Sequence, residues 1–327
     1  MKNILIATPC YNEELNIKAF YDSVLRVISK IKDYNFKLLF VNDGSNDSTL
    51  NEIKALTNEN SFVHYLSFSR NFGKESAMKA IFDYAYQNNY NALIMMDTDL
   101  QDLPDIIPKM LSKWNEGYNH VLTKHTSRKG QLFVKKICSK AFYKMYSSLT
   151  GFKDIKSGIR DYALFDEKVI EAFKDYPATD RFIKGISEYV GFKRCVIEFD
   201  YKERTLGKTK WGFKKLFKYA VLGFNSFSEW LRIVPKIFMF IFSLLFAYDL
   251  VFAIINEVKN HQAFKIALMN ILTNLSLRTS LLGFSVSIMA YVLMEVMYQA
   301  KRVSLNKPIY FIEEEDNNEK GYWCIFK

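Results

Sequence analysis

Apolar residues follow two rhythms along this chain, and each predicts a different kind of element. Residues 4–8 (ILIAT) form an unbroken apolar run ending at Pro9, the pattern of a parallel strand buried on both faces. Residues 14–32 then carry Leu15, Ile17, Phe20, Val24, Ile28 and Ile31 at helical spacing. KLLFVNDGS predicts a second buried strand that meets a turn at Asn42, Asp43 and Gly44. Residues 46–58 predict a helix, with Ser45 or Asp47 available as its cap. A third strand (FVHYLSF), a helix over 75–87 and a fourth strand (ALIMMD) follow. Strand and helix alternate through short connections, which defines an α/β domain with a mostly parallel sheet. Ligands of such sheets bind beyond the carboxyl ends of the strands. The polar clusters at 11–13, 42–45, 70–74 and 97–102 all fall at those ends.

Beyond residue 210 the rhythm changes. Residues 211–230 (WGFKKLFKYAVLGFNSFSEW) mix Lys with aromatics in the amphipathic pattern of a helix lying in a membrane interface. An ordinary surface helix carries a similar pattern. Residues 235–257 and roughly 281–299 are each long and apolar enough to span about 30 Å of hydrocarbon. Asp249 and Glu295 interrupt them, and each is expected to face a helix partner or a polar cavity, because a lipid-facing carboxylate is costly. Arg232, Lys236, Lys301, Arg302 and Lys307 flank the pair, against Lys259, Lys265 and Arg278 in the connecting loop. This is a modest positive-inside asymmetry. Two spans return the chain to its starting side, which puts the α/β domain and the tail together in the cytosol. The expected division is an α/β domain (1–210), a juxtamembrane amphipathic region (211–232), a two-helix transmembrane hairpin (233–300) and a solvated acidic tail (301–327).

Composition sharpens this picture in three ways. Of 327 residues, 49% are hydrophobic and 16% aromatic, which excludes an intrinsically disordered chain. The formal charge of +10 fits nucleic acid, an anionic membrane surface or a phosphorylated substrate. The basic residues sit beside the apolar segments and no RNA- or DNA-binding module is present, which argues against nucleic acid. Cys10, Cys138, Cys195 and Cys324 are scattered, with no CxxC spacing, so neither a zinc site nor a disulfide framework is expected. The opening MKNILIATPC reaches polar YNEE too soon for a signal peptide.

The strongest chemical signal is Asp97-Thr98-Asp99-Leu100-Gln101-Asp102, directly after the strand ALIMM. Two carboxylates two residues apart at a strand end can share a hard divalent cation, Mg²⁺ or Mn²⁺, with Gln101 adding an amide oxygen. A lone D-x-D also occurs as a solvated acidic turn; the position after a fourth parallel strand favours the metal. Asp43 could accept two hydrogen bonds from a base or ribose, although N-D-G-S by itself is only a turn. There is no GxGxxG after the first strand and no GxxxxGK[ST], which argues against a dinucleotide-binding dehydrogenase and a P-loop NTPase.

ATPCYNEE, FVNDGSNDST, FSRNFGKESA and MMDTDLQDLP, in this order and spacing, resemble the inverting family-2 glycosyltransferases of the GT-A fold. RFIKGISEYVGFK, YKERTLGKTKW, the two C-terminal spans and KRVSLNKPIYFIEE are similar to the polyprenyl-phosphate glycosyltransferases. That group includes undecaprenyl-phosphate (bactoprenol) glucosyltransferases and dolichol-phosphate mannose synthases. The resemblance covers nearly the whole chain. It implies that 1–210 is a Rossmann-like GT-A domain in which Pro9, Tyr11, Glu13 and Thr98 line the nucleotide-sugar pocket and Asp43 recognises the base. It further implies that Asp97, Asp99 and Gln101 hold the metal on the donor diphosphate, with Asp99 and Asp161 as catalytic residues. Arg70 and Lys74 complete the donor site. Arg128 reaches a donor or acceptor phosphate, and Arg204, Lys208 and Lys210 grip the lipid phosphate. The family's GDFRL-like motif is here SGIRDYALF. The arginine usual two positions after the Asp is replaced by Ala163, and Arg160 stands before it.

The chemistry these residues imply is a single inverting displacement. A divalent metal neutralises the leaving diphosphate. A lipid phosphate is already anionic near neutral pH, so a cationic clamp replaces a strong base. The implied reaction moves a hexosyl group, best guess glucose from UDP-glucose, onto undecaprenyl phosphate at the cytosolic face of the cell membrane. A hydroxyl acceptor and a non-catalytic membrane scaffold are the alternatives. Relatives with paired spans imply a homo-oligomer such as a tetramer.

Overall fold

A computed structural model describes residues 1–126, 159–174, 189–200, 230–259, 275–303 and 312–315, with isolated helical positions at 147, 266 and 270. The chain divides into two units, Met1–Ser226 with Asn306–Lys327, and Phe227–Leu305.

In the first unit, β1 (Lys2–Cys10), β2 (Tyr34–Asn42), β3 (Val63–Phe68) and β4 (Ala92–Met95) are parallel, with β1 central between β2 and β4. Their continuous apolar runs follow from burial on both faces: Ile4, Leu5, Ile6 and Ala7 are all fully buried. Helices α1 (Glu14–Ile28), α2 (Thr49–Glu59) and α3 (Lys74–Gln87) connect them. α1 stops short of the expected residue 32, because the amides of Lys30 and Ile31 turn back to Val27 and Ile28 just before the polar Lys32 and Asp33. Neither expected residue is the N-cap of α2, which is Ser48; Asp47, one residue earlier, accepts the Thr49 amide on Oδ1 at 3.0 Å. Ser45 instead accepts the Asn12 amide of the neighbouring loop at 2.9 Å.

Next come a 3₁₀ turn (Pro104–Ile106), α4 (Ile107–Asn115), β5 (His120–His125), β6 (Ile159–Asp166), α5 (Glu167–Lys174) and β7 (Arg194–Phe199). The sheet order is β7-β5-β6-β4-β1-β2-β3-β8, with β8 at Ile312–Glu315. β6 is antiparallel to both neighbours and pairs Met95 with Ala163. Continuing that register by two positions sets Asp161 opposite Asp97. The long-range pairing of β6 therefore builds one wall of the site. β8 runs antiparallel to β3, with Phe68 opposite Ile312. The stretch expected to be a wholly solvated tail thus contributes a strand. An open sheet edge presents unpaired backbone groups, and an acidic side-chain sequence does not prevent the backbone from pairing with them.

The second unit holds α6 (Trp230–Lys259) and α7 (Leu275–Val303). Lys236 Nζ lies 5.3 Å from the Tyr291 ring centroid, and Gly283 faces the Phe242 ring. Position numbers rise on one helix as they fall on the other, so the pair is antiparallel. Ile233–Asn256 and Ser276–Met297 are long and apolar enough to cross a membrane, and only 6% and 11% of them is buried. A core helix of a soluble protein would be mostly covered. Asp249 and Glu295 are both half-buried. A Cβ on Gly283 would lie 2.4 Å from Phe242 Cε1, so glycine is what lets the ring seat against α7. Gly283→Leu is expected to destabilise the pair by about 1–3 kcal/mol. Thermal unfolding in detergent, followed by circular dichroism, would read this as a lowered midpoint.

Candidate active site

Four loops leave the carboxyl ends of β1 to β4, and side chains and backbone stitch them together. After β1, Asn12 adopts φ +52°, and its Oδ1 accepts the Asn46 amide at 2.9 Å. The Glu13 amide donates to Thr49 Oγ1 at 2.8 Å, and Glu13 Oε2 accepts from Asn16 Nδ2 at 2.6 Å. Pro9, Tyr11 and Glu13 are half-buried along this rim.

After β2, the N-D-G triplet holds the loop that follows β3. Asn42 Nδ2 donates to Ser67 Oγ at 2.9 Å. Asp43, only 3% exposed, accepts the Phe72 amide at 2.7 Å on Oδ1. Its Oδ2 accepts the Gly73 amide and Asn71 Nδ2, both at 3.0 Å. Gly44 sits at φ +61°, and a Cβ there would meet the Arg70 carbonyl carbon at 2.3 Å and the Asn71 nitrogen at 2.6 Å. Only glycine allows that contact. Phe72 packs edge-on against Phe68, and the Arg70 guanidinium lies 4.2 Å above the Phe72 ring.

Burial raises the Asp43 carboxyl from 3.8 to about 6, against the lowering effect of the Phe72 and Gly73 amides. The folded chain therefore holds this proton more tightly than the unfolded chain. The associated stability is fully present below pH 3.8 and is lost as the pH rises through about 6. Relative to an Asp43→Asn variant, the wild-type chain should lose thermal stability across that window. A difference that stays flat over the same range would contradict this burial.

At the end of β4 lies an ionic cluster. Lys74, the first residue of α3, places Nζ 2.7 Å from both Asp97 Oδ1 and Asp161 Oδ2. A cation at a helix N-terminus opposes the helix dipole, so the two carboxylates rather than the helix hold it there. Burial alone would lower the Lys74 ammonium pKa, but the charges of Asp161 and Asp97 outweigh it and hold it above its ordinary value. Asp102, 1% exposed, accepts the Asp97 amide at 3.2 Å on Oδ2 and Arg160 Nε at 3.2 Å on Oδ1. Burial raises the Asp102 carboxyl to about 6, with Arg160 opposing. Arg160 Nη2 is 3.8 Å from Asp97 Oδ2. Asp99 Oδ1 accepts the Gln101 amide at 3.2 Å, on a turn in which Leu100 takes φ +60°.

Among the described residues, Asp97, Asp99, Asp102 and Asp161 face two cationic side chains, Lys74 and Arg160, and these six carry a formal charge of −2. One divalent cation neutralises that excess, and carboxylate oxygens are the donors that Mg²⁺ and Mn²⁺ prefer. Among the described residues no group of three or more His, Cys, Asp or Glu forms a ready cage. This suits an ion that takes its remaining ligands from water and a substrate diphosphate.

The expected donor-site residues Pro9, Tyr11, Glu13, Asp43, Arg70 and Lys74 do converge at the strand ends, along with Asp97, Asp99, Gln101 and Asp161. Thr98 differs in the direction of its side chain, which is buried and donates to the Pro9 carbonyl at 3.2 Å while meeting Thr8 Oγ1 at 2.8 Å. That hydroxyl ties β4 to β1 and faces the core. Arg160 stands where a replacement for the arginine missing at Ala163 was expected, and it reaches Asp97 and Asp102. Asp102 closes the motif in the sequence, where it carried no role. The available signal was the residue's position just past the D-x-D, where a buried partner for the loop amide is needed. Arg128, Arg204, Lys208 and Lys210 lie outside the described residues.

A mostly parallel α/β sheet with acidic groups at its carboxyl edge and a mixed-sheet extension is a GT-A-like fold. The family model for glycosyl transferase family 2 matches residues 5–173. A glycosyltransferase of Synechocystis sp. carrying no assigned function is 39% identical over 223 residues, 68% of this chain and 69% of its own. The prophage bactoprenol glucosyl transferase homolog of Escherichia coli is 37% identical over 246 residues, 75% of this chain and 79% of its own. The bactoprenol glucosyl transferase of Shigella phage SfV is 37% identical over the same length, covering 75% and 78%. The chain belongs to glycosyl transferase family 2, and it is a glycosyltransferase.

Proposed function

We propose that this enzyme transfers a hexosyl group, glucose from UDP-glucose by preference, to the phosphate of a polyprenyl lipid, with inversion at the anomeric carbon. The observation that carries the reading is the cluster at the ends of β4 and β6, where, among the described residues, four carboxylates meet two cations and carry a net negative charge that a divalent ion would offset. The bactoprenol glucosyl transferases among the relatives support the lipid acceptor. The long exposed apolar helices support residence in a membrane, and the Lys and Arg that flank the pair support a cytosolic α/β domain.

In this reading Asp97, Asp99 and Gln101 hold Mg²⁺ or Mn²⁺, which acts as a Lewis acid on the donor diphosphate. Pro9, Tyr11, Glu13 and Arg70 form the wall against which the nucleotide lies, and Asp43 belongs to it through the Phe72–Gly73 peptide that it holds. The Thr98 backbone continues that wall while its hydroxyl locks β4 to β1. Lys74 orients Asp161 beside the sugar. Arg128, Arg204, Lys208 and Lys210 supply the clamp for the lipid phosphate. A phosphate oxygen needs orientation more than deprotonation, so a cationic clamp with a fixed carboxylate suffices. In this reading the protein works as a homo-oligomer.

The acceptor is tested by offering the detergent-solubilised protein UDP-glucose, Mg²⁺ or Mn²⁺, and either undecaprenyl phosphate or undecaprenol. Glucosyl transfer to the phosphate alone is the expected result. Transfer to the free alcohol or to a glycan would replace this reading with a hydroxyl-acceptor enzyme. Failure to bind any sugar nucleotide would leave a scaffold.

A further inference from the structure

The acidic turn after β4 is closed on itself and gripped from β6. Asp102 Oδ2 accepts the Asp97 amide at 3.2 Å, which joins the last residue of the turn to the first. Asp97, Asp99 and Gln101 therefore lie within one closed loop of backbone. Inside it Leu100 takes φ +60°, a conformation that is costly for a residue with a side chain and persists where surrounding contacts fix it. Those contacts come from β6. Arg160 Nε donates to Asp102 Oδ1 at 3.2 Å, and its Nη2 lies 3.8 Å from Asp97 Oδ2. The Tyr162 hydroxyl donates to the carbonyl of the residue after Asp102, Leu103, at 3.0 Å. The register between β5 and β6 shifts beside this stretch, and Thr123 Oγ1 donates to the Tyr162 carbonyl at 2.6 Å. Irregular pairing of this kind re-aims side chains. One guanidinium thus spans both ends of the turn, bonded to the Asp102 carboxylate at one end and beside the Asp97 carboxylate at the other.

We infer that Arg160 is a positioning residue: by holding Asp102 against the Asp97 amide it fixes the turn that presents Asp97, Asp99 and Gln101 to a divalent cation. Its partner Asp102 is 1% exposed, and Arg160 itself 17%. A buried ion pair adds little to stability once the loss of hydration is counted, so stability alone does not account for this one. What it supplies is a fixed arrangement, and arginine suits that task because its planar fork can face two carboxylates at once. Electrostatics alone would give the opposite effect on a cation. A positive charge 3.8 Å from Asp97 repels a metal bound there, so an Arg160 acting only through its charge weakens metal binding. A positioning Arg160 strengthens it. The inference rests on the reading of Asp97, Asp99 and Gln101 as metal ligands, but the brace between β6 and the turn does not.

Arg160→Met keeps an unbranched side chain and removes the guanidinium. The full chain in detergent, with UDP present, is titrated with Mn²⁺, and free Mn²⁺ is read by electron paramagnetic resonance. Affinity should fall about tenfold or more, the scale on which groups that orient metal ligands act. Affinity that stays the same or rises would leave Arg160 with its charge alone and overturn the inference. Arg160→Lys keeps the charge without the fork, and should bind Mn²⁺ no more than about threefold better than the Met variant. Wild-type affinity in the Lys variant would assign the effect to charge, against the inference. Amide exchange, resolved by residue and read without metal or nucleotide, tests the brace itself. In Arg160→Met the Asp97 amide should exchange about tenfold or more faster, while the Met96 amide, bonded to the Ala7 carbonyl at 3.1 Å, keeps its protection. Unchanged exchange at Asp97 would also overturn the inference. Tyr162→Phe, which removes only the hydroxyl on Leu103, serves if Arg160→Met does not fold. It should speed exchange at Asp97 and weaken Mn²⁺ binding by about threefold each, and no change in either would contradict the brace. If the wild-type chain binds no Mn²⁺, the metal reading fails, and exchange at Asp97 still decides whether Arg160 holds the turn.

Discussion

Asp99→Asn is expected to lower sugar transfer on the order of a thousandfold, because a bound divalent ion supplies several kcal/mol of transition-state stabilisation. The substitution preserves volume and leaves an oxygen for the Gln101 amide that Asp99 now accepts at 3.2 Å. The local turn, including Leu100 at φ +60°, should therefore survive. What changes is charge: the cluster falls from a formal −2 to −1, and the attraction for a divalent cation falls with it. The signature is a shift of the Mg²⁺ or Mn²⁺ dependence to higher concentration together with the loss of rate, at an unchanged melting temperature. Transfer that keeps its rate and its metal dependence in this variant would remove Asp99 from the site.

Lys74→Met is expected to lower kcat by about 100-fold or more, the scale seen when a preorganised charge-stabilising donor is removed. The ammonium lies between side chains of comparable burial, at 27% exposure against 23% for Asp97 and 19% for Asp161. Without it two carboxylates face each other, and among the described residues Arg160, 3.8 Å from Asp97, remains to offset them. Like charges at that range cannot both stay ionised cheaply, so one carboxylate takes a proton or the strand ends separate. Folding stability should fall by about 2 kcal/mol, less than for a fully buried pair because water reaches part of the site. Lys74→Arg restores the charge and should recover part of the rate. Equal losses in Met and Arg variants would mean that shape rather than charge matters at this position.

Residues 2–95 were legible in the sequence because each parallel strand is buried on both faces and reads as a closed apolar run between short connections. Helix and strand types came through, and the ends shifted where backbone turns or caps intervened, as at Ile28 and Thr49. The remainder was less legible for a physical reason. β6 joins the sheet antiparallel between β4 and β5. Nothing local in IRDYALFD announces a partner some seventy residues earlier in the chain. For the same reason Asp161 was assigned by motif alone, whereas its register opposite Asp97 follows only from pairing. Asp102 and Arg160 form a partnership that no spacing rule predicts. The D-x-D signal falls at the ionic cluster at the end of β4. The inward turn of Thr98 was hidden, because strand-end residues can face either the ligand or the core. β8 shows that composition is a poor guide to an edge strand, where the backbone does the binding.

The account's central claim is a single direct displacement by a lipid phosphate at the anomeric carbon. The most direct test is the anomeric configuration of the purified lipid-linked sugar, read by proton NMR after reaction with an α-configured sugar nucleotide. The account predicts a β-linked glycosyl phosphate. An α-linked product would require two displacements or front-face attack, and would contradict the arrangement proposed for Lys74, Asp97, Asp99 and Asp161.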